Sequence, residues 1–314
     1  MQKRLLVAAL VFLTLVLTSC SKVPGGERPL DTAASYREVS TGTQGVEVEF
    51  LPNYPPPTIY DTGDLIAVAE IKNKGNHDLG PTDCFIKIDG YDPNIIQGFS
   101  FPSARSCAES LGVLEGKKIY NLEGGVNQIE FTSTAISLPE KSFEYNPILK
   151  VFNCYNYHTS ASPQVCIDPM LQITSEQKTC DVTDVGLSAG QGGPVGVSYV
   201  GVEMTSERAL FEITVRNFGG GKVLSPFADI QSCNLNLQRT EIDNIQYSVE
   251  MIGLGPGDCK PFDGNLKLYN GQGKIFCSFA LPQALAYETP LIIDLDYSYL
   301  ESFDRPVKII RTPQ

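Results

Sequence analysis

The sequence predicts an all-β chain in which two tandem β-sandwich units follow a signal peptide and a flexible tether. Three observations carry that expectation. From Val46 onward, apolar and polar residues alternate with a period of two, while helical periodicity is nearly absent. The second half of the chain restates the first. Nine cysteines, one of them closing an N-terminal apolar run, leave an even eight for disulfides.

The address comes first in the chain. Lys3 and Arg4 precede the thirteen-residue apolar run Leu5 to Leu17, and Leu17-Thr18-Ser19-Cys20 follows. A basic end, a short apolar core and small residues before the cut describe a secretory signal peptide over residues 1–19, too short to span a bilayer of roughly 30 Å. Its last four residues look like a lipobox, the prokaryotic signal after which Cys20 would be lipidated and become the mature N-terminus. Acyl chains on Cys20 would hold the protein on a membrane, each buried methylene contributing about 0.8 kcal/mol. No later apolar run is long enough to span, so the expected location is extracytoplasmic.

Composition narrows the function classes. Removing residues 1–19 takes away Lys3, Arg4 and no acid, moving the net charge from −12 to −14. Nucleic acid is excluded as a partner on this basis, because affinity for phosphates needs a basic face. Two His and no Trp leave the chain poor in the commonest catalytic side chain.

Residues 20–45 are rich in Gly, Ser, Thr and charge and read as a flexible tether. Strands begin with Val46 to Phe50, which Pro55-Pro56-Pro57 stops. The turn Asp61-Thr62-Gly63-Asp64 leads into a longer strand, Leu65 to Lys72, and further strands are expected at Cys84–Ile88, Gln128–Ser137, Ile148–Tyr157 and Val165–Ile173. Only Ala104–Leu111 and Pro282–Ala286 could hold a helical turn or two.

The repeat sets the domains at 46–175 and 176–314. Leu65 to Gly75 matches Ala209 to Gly219, with Ala67, Ala69 and Ile71 aligned to Phe211, Ile213 and Val215 on the expected core face. A second block, Pro147 to Tyr157, matches Pro290 to Tyr299. Asn73 precedes Tyr155 by 82 residues and Asn217 precedes Tyr297 by 80, so the two blocks recur at nearly equal separation. Each unit has the short strands and frequent turn signals of a β-sandwich. An alternating strand ending in Asn-x-Gly, here Asn73-Lys74-Gly75 and Asn217-Phe218-Gly219, resembles the Ig-like modules of prokaryotic surface proteins, particularly the CARDB (cell-adhesion-related) type. The segments around Cys154-Tyr155-Asn156-Tyr157 and Gly190 to Val195 also resemble uncharacterised archaeal envelope proteins, a likeness that implies no activity. Without the family, Asn-x-Gly is explained by the tolerance of both residues for the positive φ of a sharp turn.

Spacing alone does not fix the disulfide connectivity. The repeat pairs Cys84 with Cys107 and Cys233 with Cys259 as equivalents, Cys154 with Cys166 across a late hairpin, and Cys180 with Cys277 by what remains. None of the cysteines forms CxxC, and no His completes a zinc pattern.

Side-chain chemistry is sparse. His77 beside Asp78 and His158 after Tyr157 read as loop surface residues, and no Gly-x-Ser-x-Gly, His-Glu-x-x-His or P-loop pattern occurs. Asp61, Asp64, Asp89 and Asp92, or Asp294 and Asp296, could face one another but lack the dense spacing of a calcium loop. Gly190–Gly193 reads as a linker and Gly219–Gly221 as a hairpin turn. Tyr155, Tyr157, Tyr297 and Tyr299 alternate on one strand face each and form a possible binding face for sugars or proteins. The sequence thus implies a lipid-anchored cell-surface structural or protein-interaction module, with no catalytic activity, metal or cofactor. Its expected partners are the membrane through Cys20 and envelope proteins or glycans. The alternative is an extracytoplasmic receptor or carrier that takes a small molecule or glycan between the two domains.

Overall fold

A computed structural model describes residues 32–99, 104–170, 178–188, 190–233, 237–282 and 286–313. The signal peptide and Cys20 lie outside the described residues. The chain is all-β. Its first half supplies β1 (Val46–Phe50), β2 (Ile66–Asn73), β3 (Cys84–Asp89), β4 (Val126–Thr132), β5 (Ile148–Ala161) and β6 (Gln164–Ile167). The second supplies β7 (Val195–Met204), β8 (Arg208–Asn217), β9 (Lys222–Leu224), β10 (Asn244–Met251), β11 (Asp258–Lys260), β12 (Gln272–Ala280) and β13 (Tyr287–Pro306).

Alternation decides which faces are buried. In β2, Ala67, Ala69 and Ile71 are fully enclosed, and across the ladder Ala67 and Ala69 meet Phe131 and Ile129 of β4. In β8, Ala209, Phe211, Ile213 and Val215 do the same against Phe279, Cys277 and Ile275 of β12. β5 breaks the pattern, since Val151 to Tyr155 are all buried. Both faces of that stretch are covered, which removes the need for a polar side.

A long central sheet explains that double burial. Its main path runs β10–β13–β5–β3, with β6 and β9 also paired to β13. One face carries two smaller sheets, β1–β2–β4 and a five-stranded sheet containing β7–β8–β12–β11, whose side chains join the central sheet in one core. The other face holds a small second core of Phe85, Phe152, Leu224, Ile230 and Leu300. The expected boundary at 175/176 does not divide this sheet, because β5 and β13 pair antiparallel along the whole of β5, from Ile148↔Pro306 to Ala161↔Ile293. The two halves of the chain share this sheet through β5 and β13.

Tyr155 lies opposite Tyr299 and Tyr157 opposite Tyr297, with Asn156 facing Ser298 between them. The repeat is therefore arranged about a local two-fold axis at Asn156 and Ser298.

Four disulfides close on all eight cysteines: Cys84–Cys107, Cys154–Cys233, Cys166–Cys180 and Cys259–Cys277. Only Cys84–Cys107 keeps its expected partner. Cys154 does not meet Cys166, because its side chain points to the outer face of β5, where the segment ending in Cys233 folds over the second core. Cys259 and Cys277 are directly opposite on β11 and β12, which leaves Cys180 for Cys166 and replaces the Cys233–Cys259 and Cys180–Cys277 pairs. Four such crosslinks indicate an oxidising, extracytoplasmic environment. Among the described residues no helix is long and apolar enough to cross a membrane.

The tether expectation also needs correction. Thr32–Val39 forms helix α1, closed by Ser40 and Thr41 hydroxyls donating to the carbonyls of Tyr36 and Arg37. Ser35 is buried, so the helix is docked, which an isolated eight-residue helix needs to persist. The helical turns expected at Ala104–Leu111 are instead a short strand, Arg105–Ser106, followed by hydrogen-bonded turns. Pro282–Ala286 lies partly outside the described residues.

Candidate functional site

The four tyrosines singled out by the sequence are brought together, but inward. Tyr155, Tyr297 and Tyr299 are fully buried and Tyr157 is 2% exposed, with ring centroids 5.7 Å apart for Tyr155–Tyr299 and 6.1 Å for Tyr157–Tyr297. They are the core at the local axis and not a binding face. Burial pushes all four phenols up, Tyr299 to about 12. Tyr157 and Tyr297 border an open hollow, but none of the four rings is exposed.

Their hydroxyls explain Asn-x-Gly differently from the turn argument. None of Asn73, Gly75, Asn217 and Gly219 has a positive φ. Asn73 Oδ1 accepts from the Gly75 amide and its Nδ2 donates to the His77 carbonyl at 2.7 Å. Asn217 repeats both contacts with Gly219 and Gly221. Glycine is required for approach: a Cβ on Gly75 would stand 1.7 Å from Tyr157 Oη, and one on Gly219 would stand 2.3 Å from Tyr299 Oη. The Gly190–Gly193 stretch is likewise docked. The Gly192 carbonyl accepts from the Asn76 amide and from Tyr157 Oη, both at 3.0 Å. Gly219–Gly221 forms the connection between β8 and β9.

His158 is a strand residue of β5, not a loop residue. Its Nδ1 is 2.8 Å from Asp296 Oδ1, and its Nε2 is 3.6 Å from Asp294 Oδ1, both carboxylates arriving from β13. His77 lies 5.9 Å away between ring centroids, half-buried, with its pKa lowered by desolvation and then by His158. Together they border an open hollow of about 410 Å³. Among the described residues, no hydrogen bond joins either imidazole to a hydroxyl.

Among the described residues, three acids of the first set are engaged separately. Asp61 accepts from Thr312, Asp89 pairs with Lys87 and Asp92 accepts from Asn94. Among the described residues there is no group of three or more His, Cys, Asp or Glu that could hold a metal ion.

Two larger openings were not visible in the sequence. The first is a groove of about 900 Å³ between β1 and the end of β13. Among the described residues, β1 is an outer strand of its sheet and β13 beyond Leu300 pairs only with β5, so two edges without a second strand partner flank the groove. Phe303 packs edge-on against Phe50 at 5.5 Å. Glu301 has no ion-pair or hydrogen-bond partner among the described residues, and burial together with the Glu47 charge pushes its carboxyl up to about 7. The second opening, of about 550 Å³, lies on the outer face of the five-stranded sheet, where Tyr199 and Phe276 are exposed beside Glu203, Glu212 and Asp258. The Tyr199 hydroxyl is held by Asp184.

No family model and no curated protein matches the chain.

Proposed function

We propose that the protein is a lipid-anchored, cell-surface interaction module without catalytic activity, of the CARDB-like, Ig-like kind that its Asn-x-Gly strands resemble. The observation that carries this reading is the groove between the unpaired edges of β1 and β13. Exposed strand edges are usually covered or blunted by charge, and an open pair beside a groove is suited to a protein partner. Cys20 at the end of the signal-like segment supplies the anchor, and the disulfides fit an exported domain.

Two measurements test it. Crosslinking on intact cells should recover one defined protein complex, and recovery of none overturns the interaction reading. Cys20→Ser should release the protein from the membrane fraction or leave it unprocessed. Normal cleavage with unchanged membrane retention would refute the anchor.

A second reading is a glycan receptor, which the outer face of the five-stranded sheet supports rather than a site between domains. Register places Gly201, Glu212, Phe276 and Lys260 in one row across β7, β8, β12 and β11, with Glu203, Leu210, Ser278 and Asp258 in the next. The exposed Phe276 ring could stack on a sugar while these polar groups meet its hydroxyls. Glycan-array binding lost in Phe276→Ala would favour this reading, and a silent array would eliminate it.

A further inference from the structure

We infer that the groove between β1 and β13 receives an extended peptide that adds as a strand to the free edge of Glu301–Pro306 and places a lysine or arginine against Glu301 and Glu47. This deepens the interaction reading by naming the chemistry of the partner segment.

The backbone supplies the first argument. β13 is covered on one side by β6 and β5 in one continuous register along residues 287–306, and on the other by β10 and β9 in succession from Leu291 up to Leu300. From Glu301 to Pro306 that second edge has no strand partner among the described residues. Across the groove β1 has no second strand partner among the described residues, and of its outward carbonyls Val46 accepts from Asn153 Nδ2 at 3.2 Å. Each exposed amide and carbonyl on such an edge is a ready hydrogen-bonding position, and an added strand satisfies a row of them at once.

Charge supplies the second. Glu301 is half-buried in the wall of the groove and Glu47 faces it from β1, with no cation within ion-pairing distance of either among the described residues. The cations nearby are otherwise placed: Lys150 on β5 faces Asp304 at 3.9 Å, Lys222 at the start of β9 is solvent-exposed, and Arg305 directs its guanidinium to the Pro55 carbonyl. The buried phenols of Tyr155 and Tyr299 lie behind Glu301 and stay neutral. An incoming ammonium or guanidinium would find two acids and displace no existing pair.

The third argument links the two. With its carboxyl at about 7, free Glu301 is largely protonated at pH 6 and largely ionised at pH 8. A cationic residue binds the ionised form, so affinity should be about tenfold weaker at pH 6 than at pH 8. Hydrophobic occupation of the groove alone would show no such dependence.

The test uses purified full-length protein in detergent and a displayed library of random nonapeptides. Selection should enrich peptides with a lysine or arginine inside an alternating frame. A synthetic copy of the enriched peptide should protect from hydrogen exchange those amides of residues 301–305 that face away from β5, lose binding when its backbone is N-methylated on the paired side, and show the pH effect. Glu301→Gln keeps the shape of the side chain and should bind at least about tenfold more weakly at pH 8 with the pH dependence abolished. No enrichment, enriched peptides without a cation, protection elsewhere, or unchanged binding by Glu301→Gln each overturns the inference. Protection of the same edge by concentration-dependent self-association, without peptide, would assign the groove to a second copy and likewise overturn it. Cellular crosslinking to a defined partner would survive any of these failures, so the two claims are separable.

Discussion

Replacing Gly75 by alanine tests the packing at the local axis most directly. The new methyl would lie 1.7 Å from Tyr157 Oη, 2.8 Å from Tyr157 Cζ and 2.4 Å from the Gly192 carbonyl. Tyr157 cannot swing away cheaply, because it is buried and its hydroxyl joins the His77 amide, at 3.3 Å, to the Gly192 carbonyl, at 3.0 Å. Forcing the ring aside loses both hydrogen bonds, about 1 kcal/mol each, and adds overpacking strain of about 1 to 3 kcal/mol. The expected loss is therefore about 3 to 5 kcal/mol. Tyr157→Phe alone should cost about 1 to 2 kcal/mol, since the Gly192 carbonyl keeps the Asn76 amide while the His77 amide loses its acceptor. The double variant should cost less than the sum by about 1.5 kcal/mol or more, because the same hydrogen bonds are lost once and the nearest clashing atom is gone. Urea titration with disulfides intact measures all four corners of the cycle. Gly220→Ala, with nothing within 4 Å of its Cβ position, is the control and should stay within about 0.5 kcal/mol of the parent. Additivity in the cycle, or a Gly75→Ala cost below about 1 kcal/mol, would refute the argument that this glycine exists for the tyrosine.

Three further outcomes are expected. Peptide mapping under non-reducing conditions should find Cys154 joined to Cys233, and removing that pair, which closes a separation of 79 residues, should cost about 4.5 kcal/mol against about 3 for Cys166–Cys180, with a separation of 14. Recovery of a Cys154–Cys166 peptide would contradict the packing of the second core. Glu301 binds its proton more tightly folded than unfolded, so its contribution is complete below about 4.5 and lost as pH rises to about 7; Glu301→Gln should gain on the order of 2 to 3 kcal/mol at pH 8 and nothing at pH 4, by urea titration. His77 has the opposite slope: its lowered pKa leaves stability intact above 6.5 and erodes it as pH falls below, and His77→Gln should flatten that limb.

The strand pattern was legible because a half-buried strand writes its faces directly into the sequence. Val46–Phe50 and Cys84–Asp89 fall where alternation and turn residues put them, and the match of Ala67, Ala69 and Ile71 to Phe211, Ile213 and Val215 does identify buried faces. The longer extents of β5 and β13 were harder, because Thr159, Ser160, Ser302, Asp304 and Arg305 are polar residues held in strands by their partner's ladder. Pairing across the repeat left no local signal at all. The tyrosines were found but misassigned, since period-two spacing says that Tyr155 and Tyr157 share a face and is silent on whether that face meets solvent or another sheet. Helix α1 left a faint trace in Ala33, Ala34, Arg37 and Glu38, good helix formers within an otherwise irregular stretch. The groove could not be read, because it arises where β13 outruns its neighbours and not from any residue type.

The pairing of β5 with β13 about a local two-fold axis brings matching segments of one chain face to face, as subunits meet in a symmetric dimer. Because both segments belong to one chain, the two sides of that axis need not match: Asn156 accepts from the Ser298 hydroxyl at 2.8 Å, an unlike pair that identical subunits could not form. The same freedom allowed one side to keep His158 and the other to lay β9 along its edge, so that the molecule has two unlike flanks built on one plan. Cutting the chain near residue 175 would return each half to an unsatisfied strand, and co-expressed halves should find each other before they find themselves.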